Sequence, residues 1–199
     1  MSERTEVFQM DGAPRLVLRI PAGEARVVAG SPGEVVVRCR GSEQHLGRLA
    51  IDRDGDTIDI GPKGAGFGHW PSLEVEVAVG TPPEVRARFG SADLTLRTGV
   101  RSLEVVGASG DVAVGAVEGP MTVRLASGDL EAGSVGGRAD ILTASGRVRV
   151  ESVAGAVEVK AASGDVVIGE VGGDGTVRTA SGRVLVGRRD GSRIEGKPV

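Results

Sequence analysis

The sequence predicts an all-β protein: a single-stranded parallel β-solenoid with 18-residue coils, right-handed, under an irregular N-terminal β cap. Three observations lead there. The triplet Ala-Ser-Gly begins at residues 108, 126, 144, 162 and 180, always 18 residues apart, and a variant copy, GSAD, starts at 90. Within each copy, aliphatic residues alternate with changeable ones, which is the period of a strand with one buried face. No window carries a useful 3.6-residue stripe, so almost no helix is expected.

Numbering each copy from its first residue brings out the ladders. Position 5 holds Leu94, Val112, Leu130, Val148, Val166 and Val184; position 7 holds Leu96, Val114, Ala132, Val150, Ile168 and Val186. Position 16 holds Val105, Val123, Ile141, Val159 and Val177. Two short strands per copy follow, at positions 4–8 and 14–18. Turn material such as VEGP (117–120) and VGGR (135–138) fills positions 10–13, and Ser-Gly at positions 2 and 3 makes a second corner. The 33 glycines of 199 residues, against a usual share of about 7%, suit so many bends. A unit this small cannot bury its apolar side alone, whereas stacked units about 4.8 Å apart can. The hand follows from the general rule for parallel crossovers. A left-handed coil would also show a six-residue repeat, which 18-residue phrases of this kind do not display.

Residues 90–187 therefore form six coils. Upstream, LVLRI (16–20), ARVV (25–28), EVVVRC (34–39), RLAI (48–51), TIDI (57–60) and LEVEVAV (73–79) read as strands without the period. No linker separates them from the repeats, so residues 1–89 are taken as an irregular β cap continuous with the solenoid. Downstream, Arg193 and Glu195 fall at positions 14 and 16, where aliphatics belong. Residues 188–199 thus read as a polar tail that ends the stack and protects its open edge.

Composition narrows the function. With 40% hydrophobic residues the chain can bury a core, but one Trp, three Phe and no Tyr make that core thin and aliphatic. The net charge is −3 with the signs interleaved, so no basic stripe asks for nucleic acid and no basic amphipathic helix asks for a membrane surface. Neither a signal-peptide core nor an apolar run of about 18–20 residues is present, which points to a cytoplasmic chain without membrane insertion. Cys39, the one cysteine, lies in VVVRCR and reads as a structural strand thiol; no internal disulfide can form.

The segments LRIPAGEARVVAGSPGEVVVRC and LEVEVAVGTPPEVRARFGSADLTL, followed by repeated ASGDV or ASGRV, resemble a bacterial domain family labelled "putative adhesin". The resemblance covers about residues 7–187. It implies an irregular N-terminal β region joined to SGDV-type solenoid coils and a role in surface adhesion. It is a domain of unknown function and supplies no catalytic residues.

Two groups of residues carry candidate chemistry. Position 4 stacks Asp93, Asp111 and Asp129, then Arg147, Asp165 and Arg183. The later members alternate in sign, which favours stacking. The first three are like charges in a row and need turn amides or a cation to offset them, so they read as a structural ladder with weak cation binding as a secondary use. They would also be the carboxylates of a carbohydrate-active β-helix enzyme, the alternative function; against it, no Trp, Tyr or His lies within the coils to build a sugar platform. A hexapeptide-type acyltransferase would need a histidine there as well. VGGDGTV (171–177) superficially matches calcium-binding rolls, but its Gly-Gly-Asp-Gly occurs once and reads as a turn. The second group is the loop GPKGAGFGHWPS (61–72): its rings either pack over the cap or contact a ligand, and Phe67, His69 and Trp70 are the first choice for ligand recognition. It lacks the order of a phosphate loop.

The sequence reading is then a non-enzymatic, adhesin-like binding scaffold with no cofactor, no metal and no catalytic residues. Its partner would be a protein or a cell-envelope component. Self-association through the solenoid edges is a further expectation.

Overall fold

Main-chain pairing between successive coils organises the molecule. The computed structural model describes residues 2–64, 70 and 72–187, and the backbone of 194–198. Strand β7 (Glu84–Leu96) bends across two faces, and from there each coil contributes one strand to each. On the first face lie β8 (Ser102–Ser109), β10 (Met121–Ser127), β12 (Ala139–Ser145), β14 (Val157–Ser163) and β16 (Gly175–Ser181). On the second lie β9 (Val112–Val117), β11 (Leu130–Val135), β13 (Val148–Val153), β15 (Val166–Val171) and β17 (Val184–Val186). All these neighbours pair in parallel with an 18-residue step, so Ser91, Ser109, Ser127, Ser145, Ser163 and Ser181 stand in one column.

In the coils from residue 108 to 161, six positions point inward: 5, 7, 10, 14, 16 and 18; in the coil before them Val100, at position 11, takes the place of position 10 and bridges to Val117. In one coil these are Leu130, Ala132, Val135, Ala139, Ile141 and Thr143, all buried. Position 10 corrects the sequence reading, which gave Val117, Val135, Val153 and Val171 to the turn. They end their strands and lie in the core, and the chain bends only after them. Two buried threonines keep their hydroxyls satisfied: Thr143 Oγ1 donates to the Ser145 carbonyl at 3.1 Å and Thr179 Oγ1 to the Ser181 carbonyl at 3.0 Å. Near the start of the stack, Phe89 takes the room below it. A Cβ on Gly107 would lie 2.1 Å from the Phe89 ring, so the large residue requires the small one.

The corner glycines are fixed twice over. Gly110, Gly128, Gly146, Gly164 and Gly182 have φ between +124° and +133°, and a Cβ on Gly146 would meet the Gly128 carbonyl oxygen at 2.0 Å. Gly23 joins this column at φ +118°, because β2 (Arg15–Ala29) is itself a rung. Its two halves pair in parallel with Glu84–Phe89 and Ser91–Leu96 of β7. Beyond β2 lies one more rung, made by β5 (Thr57–Pro62) and β6 (Leu73–Val79), both parallel to it. The 18-residue period fails upstream because chain is inserted between rungs, not because the stack stops.

Antiparallel strands close this end. β4 (Leu49–Asp54) covers β5, β3 (Glu34–Gly41) covers β6, and β1 (Ser2–Gln9) covers β3. A five-residue helix, α1 (Glu43–Gly47), buries Leu46 between β3 and β4 in the chain. Among the described residues no helix is long and apolar enough to cross a membrane. At the other end the expected tail adds a strand: β18 (Ile194–Pro198) pairs in parallel with β16, Gly175 facing Ile194 and Thr179 facing Pro198. The step there is 19 residues, so Ile194 rather than Arg193 takes the register position of an inward residue.

Two consequences are measurable by thermal denaturation. Gly146→Ala should lose roughly 2–4 kcal/mol, from a disfavoured backbone region and a collision with the neighbouring rung; an unchanged melting temperature would contradict the corner geometry. Deleting residues 126–143 should leave a shorter protein that melts cooperatively. Deleting 126–134, an odd number, turns core residues outward and should abolish the transition; identical behaviour of the two deletions would contradict the coil assignment.

Candidate functional site

At the corner after each glycine, strand pairing is interrupted and the amide of position 4 needs another acceptor. The aspartates supply it. Asp93 Oδ1 accepts the Asp111 N–H at 2.8 Å, Asp111 Oδ1 accepts the Asp129 N–H at 2.8 Å, and Asp129 Oδ1 accepts the Arg147 N–H at 2.7 Å. Asp165 repeats the bond to the Arg183 N–H at 2.9 Å. The Arg147 guanidinium also stands 4.0 Å from Asp129 Oδ2. Turn amides thus supply one of the two offsets that the like-charged row requires. Each carboxylate is aimed at the next rung, whereas glycoside hydrolysis needs two carboxylates flanking one bond from across a cleft. Among the described residues, no three His, Cys, Asp or Glu side chains come together as a metal site would.

Of the loop residues chosen for recognition, Phe67 and His69 lie outside the described residues. Trp70 is only 7% exposed. Its ring meets His45 of α1 at a centroid separation of 5.7 Å, tilted by 60°, and the Arg48 guanidinium lies 5.1 Å from its centroid. Ser42 hydrogen-bonds the His45 ring in turn. The indole thus holds the helix to the cap, as a buried ring rather than an exposed one. Cys39 is fully buried on β3, and burial pushes its thiol up to about 12, which keeps it protonated and inert.

The two outer faces differ in charge. Across the cap end of the second face, opposite charges are clasped together: Arg38 with Glu76 at 2.9 Å, Arg26 with Glu24 at 2.5 Å and Arg40 with Glu3 at 2.7 Å. The Arg40 guanidinium holds the Glu3 carboxyl below the usual carboxylate range. On the first face, position 17 forms a file: Arg88, Val106, Arg124, Leu142, Lys160 and Arg178, all exposed and stacked in register. Position 15 beside it carries Glu104, Asp140 and Glu158, which draw on Arg86 at 3.3 Å, on Arg138, and on Lys160 at 2.8 Å. Lys160 and Arg138 hold the Glu158 carboxyl below its ordinary range. Arg88, Arg124 and Arg178 make no ion pair among the described residues. The linear sequence hides this file, because its members are 18 to 90 residues apart with acids between them. The period that revealed the serine and aspartate columns would have revealed it too.

Several solved structures align with this chain along most of its length at low identity. A "putative adhesin" from Bacteroides fragilis NCTC 9343 is 12% identical, covering 98% of this chain and 97% of its own, with a TM-score of 0.43. A "putative lipid binding protein" from Parabacteroides distasonis ATCC 8503 is 14% identical over 99% of this chain and 95% of its own, with a TM-score of 0.41. A "putative cell adhesion protein" from Clostridium sporogenes ATCC 15579 is 13% identical over 98% and 99%, with a TM-score of 0.35. No curated protein matches the sequence. Residues 17–195 match the Toastrack DUF4097 family, and the chain belongs to it.

Proposed function

We propose that this protein is a non-catalytic binding scaffold of adhesin type, which presents the rigid outer faces of its solenoid to a protein or envelope partner. One observation carries the reading: the carboxylates best placed to do chemistry, Asp93, Asp111 and Asp129, are each engaged by a main-chain amide of the next rung. The ladder is framework. What remains for function is surface, and that surface repeats on the spacing of the backbone.

Replacing the three aspartates separates scaffold from enzyme. Asn keeps an oxygen acceptor and removes the mutual repulsion, so Asp93→Asn, Asp111→Asn and Asp129→Asn combined should stay within about 0.5 kcal/mol of the wild type. The corresponding Ala variant should lose roughly 1 kcal/mol for each bond removed. Neither wild type nor variant should cleave polysaccharides, and both Asn variant and wild type should crosslink to the same envelope fraction. Cleavage by the wild type that disappears in the still-folded Asn variant would overturn the reading in favour of an enzyme.

A further inference from the structure

We propose that the file at position 17 on the first face binds an extended anionic glycan, a ligand class that rests on the scaffold reading above. The chain is net negative, yet Arg88, Arg124 and Arg178 stand exposed in one line with no ion pair among the described residues. Lys160 lies in the same line, shared with Glu158. Backbone pairing fixes their spacing at about 4.8 Å per rung, so Arg88 and Arg178, five rungs apart, are separated by about 24 Å. A rigid line of charge that long suits a polymer with charges at intervals better than a single small anion.

The surroundings select among polyanions. Val106 and Leu142, 41% and 47% exposed, stand between the cations and offer apolar ground for the faces of sugar rings. On one side of the file run the acids of position 15. On the other run exposed alanines, Ala108 and Ala126 among them, and then the serine hydroxyls of the corner column. A narrow chain lying toward the serines meets cations and hydroxyls and avoids Glu104, Asp140 and Glu158. A flat anionic membrane would come down on the acids as well. Single-stranded nucleic acid is bound by stacking bases on aromatic rings, and this face has none.

The test titrates the full chain at low salt with a galacturonic acid oligomer, its neutral methyl ester and dextran sulfate. The expected result is binding of an acidic glycan but not of the ester. The combined Arg88→Gln, Arg124→Gln and Arg178→Gln variant should bind about 10–100-fold more weakly, with a salt dependence reduced by about two to three charges. A control variant of equal net charge, Arg97→Gln, Arg101→Gln and Arg149→Gln, should bind like the wild type. Failure of the wild type to bind either acidic glycan, equal affinity of wild type and file variant, or equal loss in the control would each overturn the proposal. So would sedimentation with phosphatidylglycerol vesicles that depends on the file while the glycans do not bind. A wild type that still crosslinks to its envelope fraction but ignores both glycans would remove the glycan assignment alone; loss of both would remove the scaffold reading too.

Discussion

The structure depends on parallel, in-register hydrogen bonding between one coil and the next. That pairing satisfies the main chain only where strands run straight, so the corners must be solved separately. The solutions are local and repeated. Glycine at position 3 accepts a backbone angle that other residues resist and leaves room for the carbonyl of the rung before it. Aspartate at position 4 receives the amide that the interrupted strand leaves over. Once register is set, every side chain inherits a neighbour of its own kind, and the protein becomes a set of columns.

The core follows from the same constraint. Two faces this close leave room for short aliphatic chains, and the aromatic-poor composition is the consequence. Where a large ring does enter, as at Phe89, the next rung gives up its side chain at Gly107. The ends need a different device, because a parallel stack leaves open edges. At the N-terminal end, antiparallel strands β3 and β4 close the last parallel rung, and Trp70 with His45 and Arg48 fastens the short helix beside them.

Much of this was legible from residue spacing. The 18-residue step located the serine column, the inward positions 5, 7 and 16, and the aspartate ladder, because equal spacing becomes equal height in a solenoid. Position 10 was misread because VGG looks like a turn, although its valine completes the preceding strand. The rung in β2 escaped notice because Gly23 and Gly110 are not separated by a multiple of 18, even though PAGEAR and ASGDVA share a small residue, a glycine and an acid in the same order. For Trp70 the sequence allows either a ring packed over the cap or a ligand-contacting one, and the ring is buried. Nothing local in the sequence announces that His45 and Arg48, more than twenty residues earlier, fold back over it.

Function in such a molecule is a property of columns more than of single residues. The acidic column is turned into framework by backbone amides, while Arg88, Arg124 and Arg178 of the file across the corner make no ion pair among the described residues. Electron-spin distance measurement between labels on the serine column tests the shared premise most directly, since the buried thiol of Cys39 is not available to the label. Pairs at 109 and 163, 109 and 181, and 91 and 181 should give narrow distributions that lengthen from about 14 to 19 to 24 Å before the label's own reach, one strand spacing per coil. Distances that do not rise in proportion to the number of coils would contradict the column, and with it the surface assigned to binding.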